Sequence, residues 1–403
     1  MRKSIFMAAL AVALTASQAD AQLAKKTLTL GVLNDQSSVY ADMGGTGSVL
    51  AARMAVEDFG PTVAGAKIEL IFADHQLKPD VASAITNKWL QDDGVDAVID
   101  LGAGGPATAA LDVVKKYNKT LLLSASSLNY FTGPGCAPQT VHWTYDNWSM
   151  ANATVIENMR TGAKRWFFLV PDYRFGWDMQ EVMTDMVKKL GGEVVGAVRY
   201  SPRTLDYSSF LLQAQQNKPD VVAVIDGGDN LARAMKQAHE FEFAKAKIRM
   251  TSPVAQLTDI HAMGLDVAQG LITSESYYWD LNEGTRSFGK RFAARRDGKM
   301  PTSIQAGVYS VVTHYLEAVA ATNSTDGDVV VRKMKATKGT DKLFGQYEIR
   351  ADGRALHNRY IMRVKTPAES KGPWDYLAQV AVIPGDKAYL PVSEGGCTTL
   401  DKM

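Results

Sequence analysis

The chain has 403 residues, with 44 Lys and Arg against 43 Asp and Glu, and 46% of its residues are hydrophobic. So even a charge balance argues against nucleic acid or an anionic membrane surface as partner, since both select for a basic excess. The length exceeds what one hydrophobic core usually supports, so two domains are expected.

The N-terminus reads Arg2-Lys3, then an uncharged, largely apolar run from Ile5 to Thr15, then Ala19-Asp20-Ala21. The run is about 11 residues, roughly half of what a bilayer-spanning helix needs. A basic head, a short apolar segment and a small-x-small site predict a secretory signal peptide over residues 1–21. The mature chain then begins near Gln22, and losing Arg2, Lys3 and Asp20 leaves its basic and acidic residues equal in number. Its expected address is the periplasm, which holds no pool of NAD or ATP. Cys136 and Cys397, each in a Gly-rich turn, are expected to form one disulfide in that oxidising compartment. The loop it closes spans about 260 residues, for which chain entropy predicts several kcal/mol.

Strands and helices then alternate. Leu28–Leu33, Lys67–Ala73, Val95–Leu101 and Thr120–Ser124 read as strands, with helices expected over Ser48–Phe59, Asp80–Asp92 and Pro106–Tyr117. The pattern restarts after an irregular aromatic stretch, His142–Trp148. Strands are expected at Arg165–Val170, Glu193–Val198 and Val221–Asp226, with helices at Trp177–Leu190, Ser208–Gln216 and Asn230–Phe241. Beyond Gly270–Ser274 come helical blocks at Thr285–Arg296 and Ile304–Thr322. An antiparallel-looking pair, Gly345–Arg350 with Tyr360–Lys365, closes the pattern. Such alternation implies two α/β lobes, each a parallel sheet covered by helices.

These residues resemble the solute-binding proteins of branched-chain (hydrophobic) amino acid type ABC importers. The likeness runs along the whole mature chain. It rests on the first strand, the loop Ser37-Ser38-Val39-Tyr40, the helix Ala51–Asp58, and Asp74 closing the second strand. Asp172-Tyr173-Arg174-Phe175-Gly176, Asp206–Phe210 and Pro219-Asp220-Val221-Val222 continue it. The resemblance implies a type I periplasmic binding-protein fold: two Rossmann-like lobes joined by a three-crossover hinge, closing on a ligand like a Venus flytrap. The first lobe is expected over 22–142 and 276–347 and the second over 143–275 and 348–385. A tail, 386–403, is tied back to the first lobe by the disulfide. It also implies an extracytoplasmic component that captures a small solute and delivers it to a membrane permease, working as a monomer without cofactor or metal. A ligand-presenting partner of a membrane sensor is the alternative, and an exported enzyme the remote one.

In open parallel sheets ligands bind at the carboxyl ends of the strands, near helix N-termini. The loops so placed nominate Tyr40, Gly104, Gly105, Ser126 and Ser127 in the first lobe, and Tyr173, Phe175, Asp229 and Ala255 in the second. The Gly102-Ala103-Gly104-Gly105-Pro106 stretch satisfies a dinucleotide motif only weakly, follows the third strand rather than the first, and sits in an exported chain. In relatives that bind α-amino acids, a Ser or Thr hydroxyl helps hold the carboxylate and a second-lobe acid the ammonium. Here those places are Gly104 and Ser252-Pro253-Val254-Ala255. An ammonium would lack its counter-charge unless Asp229 supplied it, so the reading leans to an uncharged or carboxylate-bearing solute, aromatic ones included. No Gly-x-Ser-x-Gly elbow or His-Glu-x-x-His pair is present. Of the six histidines only His75, beside Asp74, qualifies as a general base, and it reads better as a surface residue.

Overall fold

The computed structural model describes residues 23–400, so the expected signal peptide lies outside the described residues. Ten strands build two parallel sheets. The first contains β1 (Thr27–Asn34), β2 (Thr62–Val63), β3 (Ala66–Asp74), β4 (Val95–Asp100), β5 (Thr120–Leu123) and β6 (Thr140–His142), ordered β2-β3-β1-β4-β5-β6. Only the β2–β3 pairing is antiparallel. The second contains β7 (Arg165–Pro171), β8 (Glu193–Tyr200), β9 (Val221–Val224) and β10 (Arg249–Thr251), ordered β10-β9-β7-β8 and parallel throughout.

The apolar strands sort their residues by alternation. Leu28, Leu30 and Val32 face a core shared with the helices Gly45–Phe59 and Ser303–Thr322, whereas Leu33 faces Trp89, Leu111 and Val114 on the other side. In the second sheet Phe167 and Leu169 pack one face, and Trp166, Phe168 and Val170 the other. Each such large side chain contributes roughly 1.5–3 kcal/mol when fully buried.

Two short antiparallel sheets complete the chain. One joins β11 (Ile272–Glu275), β15 (Arg359–Val364) and β16 (Leu377–Ile383) in the order β11-β15-β16. The other joins β12 (Gly339–Asp341), β13 (Gly345–Ile349) and β14 (Ala355–Leu356) in sequence. The antiparallel pair expected from sequence is therefore corrected. β13 turns back on β14, and β15 pairs with β11 and β16, so the two expected partners lie in different sheets. The stretch His142–Trp148 is also less irregular than expected. Asp146 caps a helix over Asn147–Arg160 in a reciprocal box with Ser149, a capping pair without the usual Glu or Gln.

The Cys136–Cys397 disulfide is present, with Cα atoms 5.7 Å apart and a sequence separation of 261. It returns the C-terminal segment to the first lobe. On the way Tyr389 donates to the Thr144 carbonyl at 2.9 Å and lies under the Arg354 guanidinium, 4.6 Å from its ring centroid. Where the chain passes between lobes, fully buried Arg359 donates to Ser276 Oγ at 2.5 Å and to the Ser274 carbonyl at 2.6 Å.

Candidate functional site

The order of strands decides where a site forms. In the first sheet β3 and β4 flank β1 on opposite sides, so the chain reverses direction of growth beside β1. In the second, β8 and β9 flank β7 in the same way. At such switch points the loops after neighbouring strands diverge and leave a crevice. The loops after β1 and β4 meet those after β7 and β9 around one cavity. It encloses about 630 Å³, part of it open to solvent.

First-lobe loops supply the polar wall. The helix Gly104–Tyr117 begins at Ala103 with no side-chain cap, and Gly102, Ala103 and Gly104 border the cavity, so first-turn N–H groups remain for a ligand. Gly104 has a steric reason: a Cβ there would lie 2.2 Å from Leu128 Cδ1, so any larger residue requires Leu128 to move. Asp35 shapes the neighbouring loop, accepting from the Ser38 N–H and hydroxyl and from the Tyr40 N–H. Asn34 bridges, donating to the Gly45 carbonyl at 2.8 Å and to Asp100 Oδ2 at 2.9 Å. The apolar wall is Met43, Phe175, Val254 and Ile304.

The lobes touch at the rim. The Tyr40 and Tyr173 hydroxyls are 2.6 Å apart, and Tyr40 donates to Asp226 Oδ1 at 3.0 Å. Asp226 is fully buried and also accepts from Tyr200, the Gly227 N–H and Asn230. Burial pushes its carboxyl up, and those donors oppose the rise. Burial, with the Asp226 charge adding to it, raises the Tyr40 phenol well above its ordinary value, so Tyr40 remains a donor. Nearby, Gly228 sits at φ +62 with its would-be Cβ 2.2 Å from the Val39 carbonyl oxygen, so only glycine lets the lobes approach so closely. Ser303 Oγ donates to Gln256 Oε1 at 3.0 Å beside this contact.

Of the residues nominated from sequence, Tyr40, Gly104, Ser127, Tyr173 and Phe175 meet around the cavity. Gly105, Ser126, Asp229 and Ala255 lie off its wall. Ser126 is buried, with its carbonyl 2.6 Å from His142 Nε2; Val254 stands where Ala255 was expected; Asp229 is exposed and pairs with Arg233 at 3.6 Å. Sequence reasoning missed Asn34, Asp35, Asp100, Tyr145 and the Asp226 hub. Asp100 and Asp226 each close an apolar strand run with an acid, which is the signal that could have found them. His75 is corrected from surface to buried: its Nδ1 accepts from the Leu77 N–H at 3.1 Å, and burial lowers it to about 4, so it stays neutral.

Among the described residues no group of His, Cys, Asp and Glu is arranged to hold a metal, and no helix is long and apolar enough to cross a membrane. A family model for periplasmic binding proteins matches residues 27–373. The Leu/Ile/Val-binding protein homolog 6 of Brucella melitensis is 25% identical over 282 residues, 68% of this chain and 70% of that one. A periplasmic binding protein from Burkholderia mallei is 38% identical, covering 93% of this chain and 99% of its own, with a TM-score of 0.89. A branched chain amino acid ABC transporter periplasmic ligand-binding protein from Burkholderia xenovorans is 37% identical over 93% and 100% of the two chains, at a TM-score of 0.84.

Proposed function

The chain belongs to the periplasmic binding protein family, and on that premise we propose that it captures a small organic solute between its lobes for an ABC importer. The family is one of binding proteins rather than enzymes. The observation that carries the reading is the cavity itself: both switch points open onto it, and Tyr40 already bonds across it to Tyr173 and Asp226. A solute touching both walls favours the closed form only through contacts that vanish when the lobes part. The first-lobe N–H groups and the Ser127 hydroxyl hold the polar head, and Phe175, Met43, Val254 and Ile304 enclose the apolar body. The closed surface is then what a membrane permease reads, and the mature chain acts as a monomer in the periplasm after its signal peptide is removed.

A thermal-shift screen of the mature protein against amino acids, amides, aromatic acids and short carboxylates tests this. A ligand at 100 times its dissociation constant stabilises by about 2.7 kcal/mol. Phe175→Ala is expected to weaken the hit by roughly 1–3 kcal/mol, mainly through a faster off-rate. Full affinity in that variant would place the site elsewhere.

A further inference from the structure

The C-terminal tail runs from one lobe to the other. It leaves β16, where Leu377 shares a core with Met362 and Val364 of β15 and with Phe167 and Leu169 of the second parallel sheet. It ends bonded to Cys136, between Phe131 and Ala137, which share a core with Leu33 and Leu121 of the first sheet. Both ends seat closely. Gly385 lies against the backbone of Leu356 and His357, 3.2 Å from its would-be Cβ, and its N–H donates to Asn358 Oδ1 at 3.1 Å. The Gly395 carbonyl oxygen occupies the place that a Gly133 side chain would need. Along this path the tail meets the three segments where the chain passes between lobes. Between β6 and the helix Asn147–Arg160, the Thr144 carbonyl accepts from buried Tyr389 at 2.9 Å. The same carbonyl accepts at 3.4 Å from Ser276 Oγ, just past β11. His357 and Asn358, under Gly385, join β14 to β15. Arg350 then donates to the Leu390 carbonyl at 2.8 Å, and Arg354 covers the Tyr389 ring.

We propose that residues 384–397 form a hinge strap, a further and disulfide-closed connection that holds the lobes in the arrangement with the cleft rim in contact. Hinge rotation is absorbed by φ and ψ changes in a few connecting residues. Such changes at Thr144 and its neighbours turn the carbonyl away from the Tyr389 phenol. Contacts made in one lobe arrangement and lost in others favour that arrangement by their differential free energy. The disulfide matters because it fixes the far end of the strap. A free C-terminus frays, whereas a segment anchored at both ends gives up less chain entropy when it seats. Among the described residues the cavity wall includes none from the tail, so the strap acts on closure without touching the solute. The proposal rests on two lobes closing over the cavity, and holds whatever solute fills it.

Small-angle scattering of the ligand-free mature protein tests the strap in two variants. Cys136→Ser with Cys397→Ser removes its far anchor. Tyr389→Phe keeps the disulfide and the ring and deletes only the bond to Thr144. Both are expected to give a larger radius of gyration than wild type, the double variant the larger. If the double variant does not fold, Tyr389→Phe carries the test alone. Hydrogen exchange in Tyr389→Phe separates a loosened hinge from a general loss of stability. The amides of Trp143 and Asn147, which donate to the Leu123 and Ser127 carbonyls at 2.8 and 2.7 Å, are expected to exchange threefold or more faster. Those of Leu30 and Val32 in β1 should accelerate less. Unchanged radii, or an acceleration that β1 shares equally, would overturn the strap and leave the disulfide a general staple. Neither readout needs a solute, so a screen without hits would defeat the solute reading and leave the strap standing. With a solute in hand, the double variant is expected to bind it at least threefold more weakly, and equal or tighter binding would overturn the strap.

Discussion

Asp100 and Asp226 occupy corresponding places in the two lobes and are treated in opposite ways. Asp100 ends β4, which pairs with β1, and Asp226 lies two residues past β9, which pairs with β7. Both are fully buried. Asp226 is surrounded by four donors, three from its own lobe and one, Tyr40, from the other. Asp100 accepts from Asn34 and lies beside the Ser48 hydroxyl, with no donor from the opposite lobe. The same topology therefore yields a hub that joins the lobes on one side and a carboxylate held within its own lobe on the other.

The largest expected effect breaks the hub. Asp226→Ala leaves buried hydroxyl, amide and backbone donors without an acceptor, and is expected to cost about 3 kcal/mol in denaturant unfolding. Asp100→Asn, by contrast, removes a buried charge whose carboxyl burial raises, and is expected not to lower ligand-free stability at neutral pH. Equal losses in the two variants would erase the distinction.

A third buried carboxylate sharpens it through pH. Asp341 accepts from Ser310 at 2.7 Å and lies 3.1 Å from His314 Nε2. Burial lowers the His314 imidazole, but its bonds to Asp341 and Glu317 outweigh that and leave it raised to about 9. Burial raises Asp341, and His314 with Ser310 and backbone N–H groups reverses the shift, leaving it lowered. A raised histidine contributes stability fully present below its unfolded value near 6.5 and lost as pH climbs through about 9. A lowered carboxyl contributes above its unfolded value near 3.8 and loses it as pH falls. Asp100, raised to about 6, acts in the opposite sense to Asp341: it costs stability above that pH and nothing below about 3.8. The melting temperature is thus expected to fall by roughly 4 °C between about pH 6.5 and 9.5. His314→Gln should flatten that arm, and an unaltered slope would discard the pair as its cause.

The smallest effect probes the single bond between hub and opposite lobe. Tyr40→Phe deletes the donor to Asp226 and the contact with Tyr173 without changing the ring, and is expected to destabilise the closed form by about 1 kcal/mol. Small-angle scattering of the ligand-free variant should give a larger radius of gyration than wild type. An identical radius would mean that the lobes are held together by other contacts.

Much of the fold was legible because its determinants are local. The apolar runs Leu28–Leu33, Val95–Asp100 and Val221–Val224 and the helical spacing after them specify strands and helices within a few residues. The helix Asn147–Arg160 was missed because it buries polar Ser149, Thr154, Glu157 and Asn158 among its apolar residues. No clean apolar stripe marks it, and its start is an Asp–Ser box rather than the commoner pair. The β13–β15 pairing was misjudged because adjacency along the chain says nothing about which sheet a strand joins.

By itself, then, the sequence determined two α/β lobes and the glycine loops after their strands, since spacing and periodicity act at short range, and the disulfide pairing, since the chain has two cysteines. Tertiary structure alone decided which carboxylates matter. Asp226 is saturated by Tyr40, 186 residues away, and Asp100 is met by Asn34, 66 residues away. Asp229 points to solvent because the helix beginning at Gly228 turns it outward to Arg233. Whether a buried acid is satisfied depends on donors delivered by distant segments, and no local pattern carries that count.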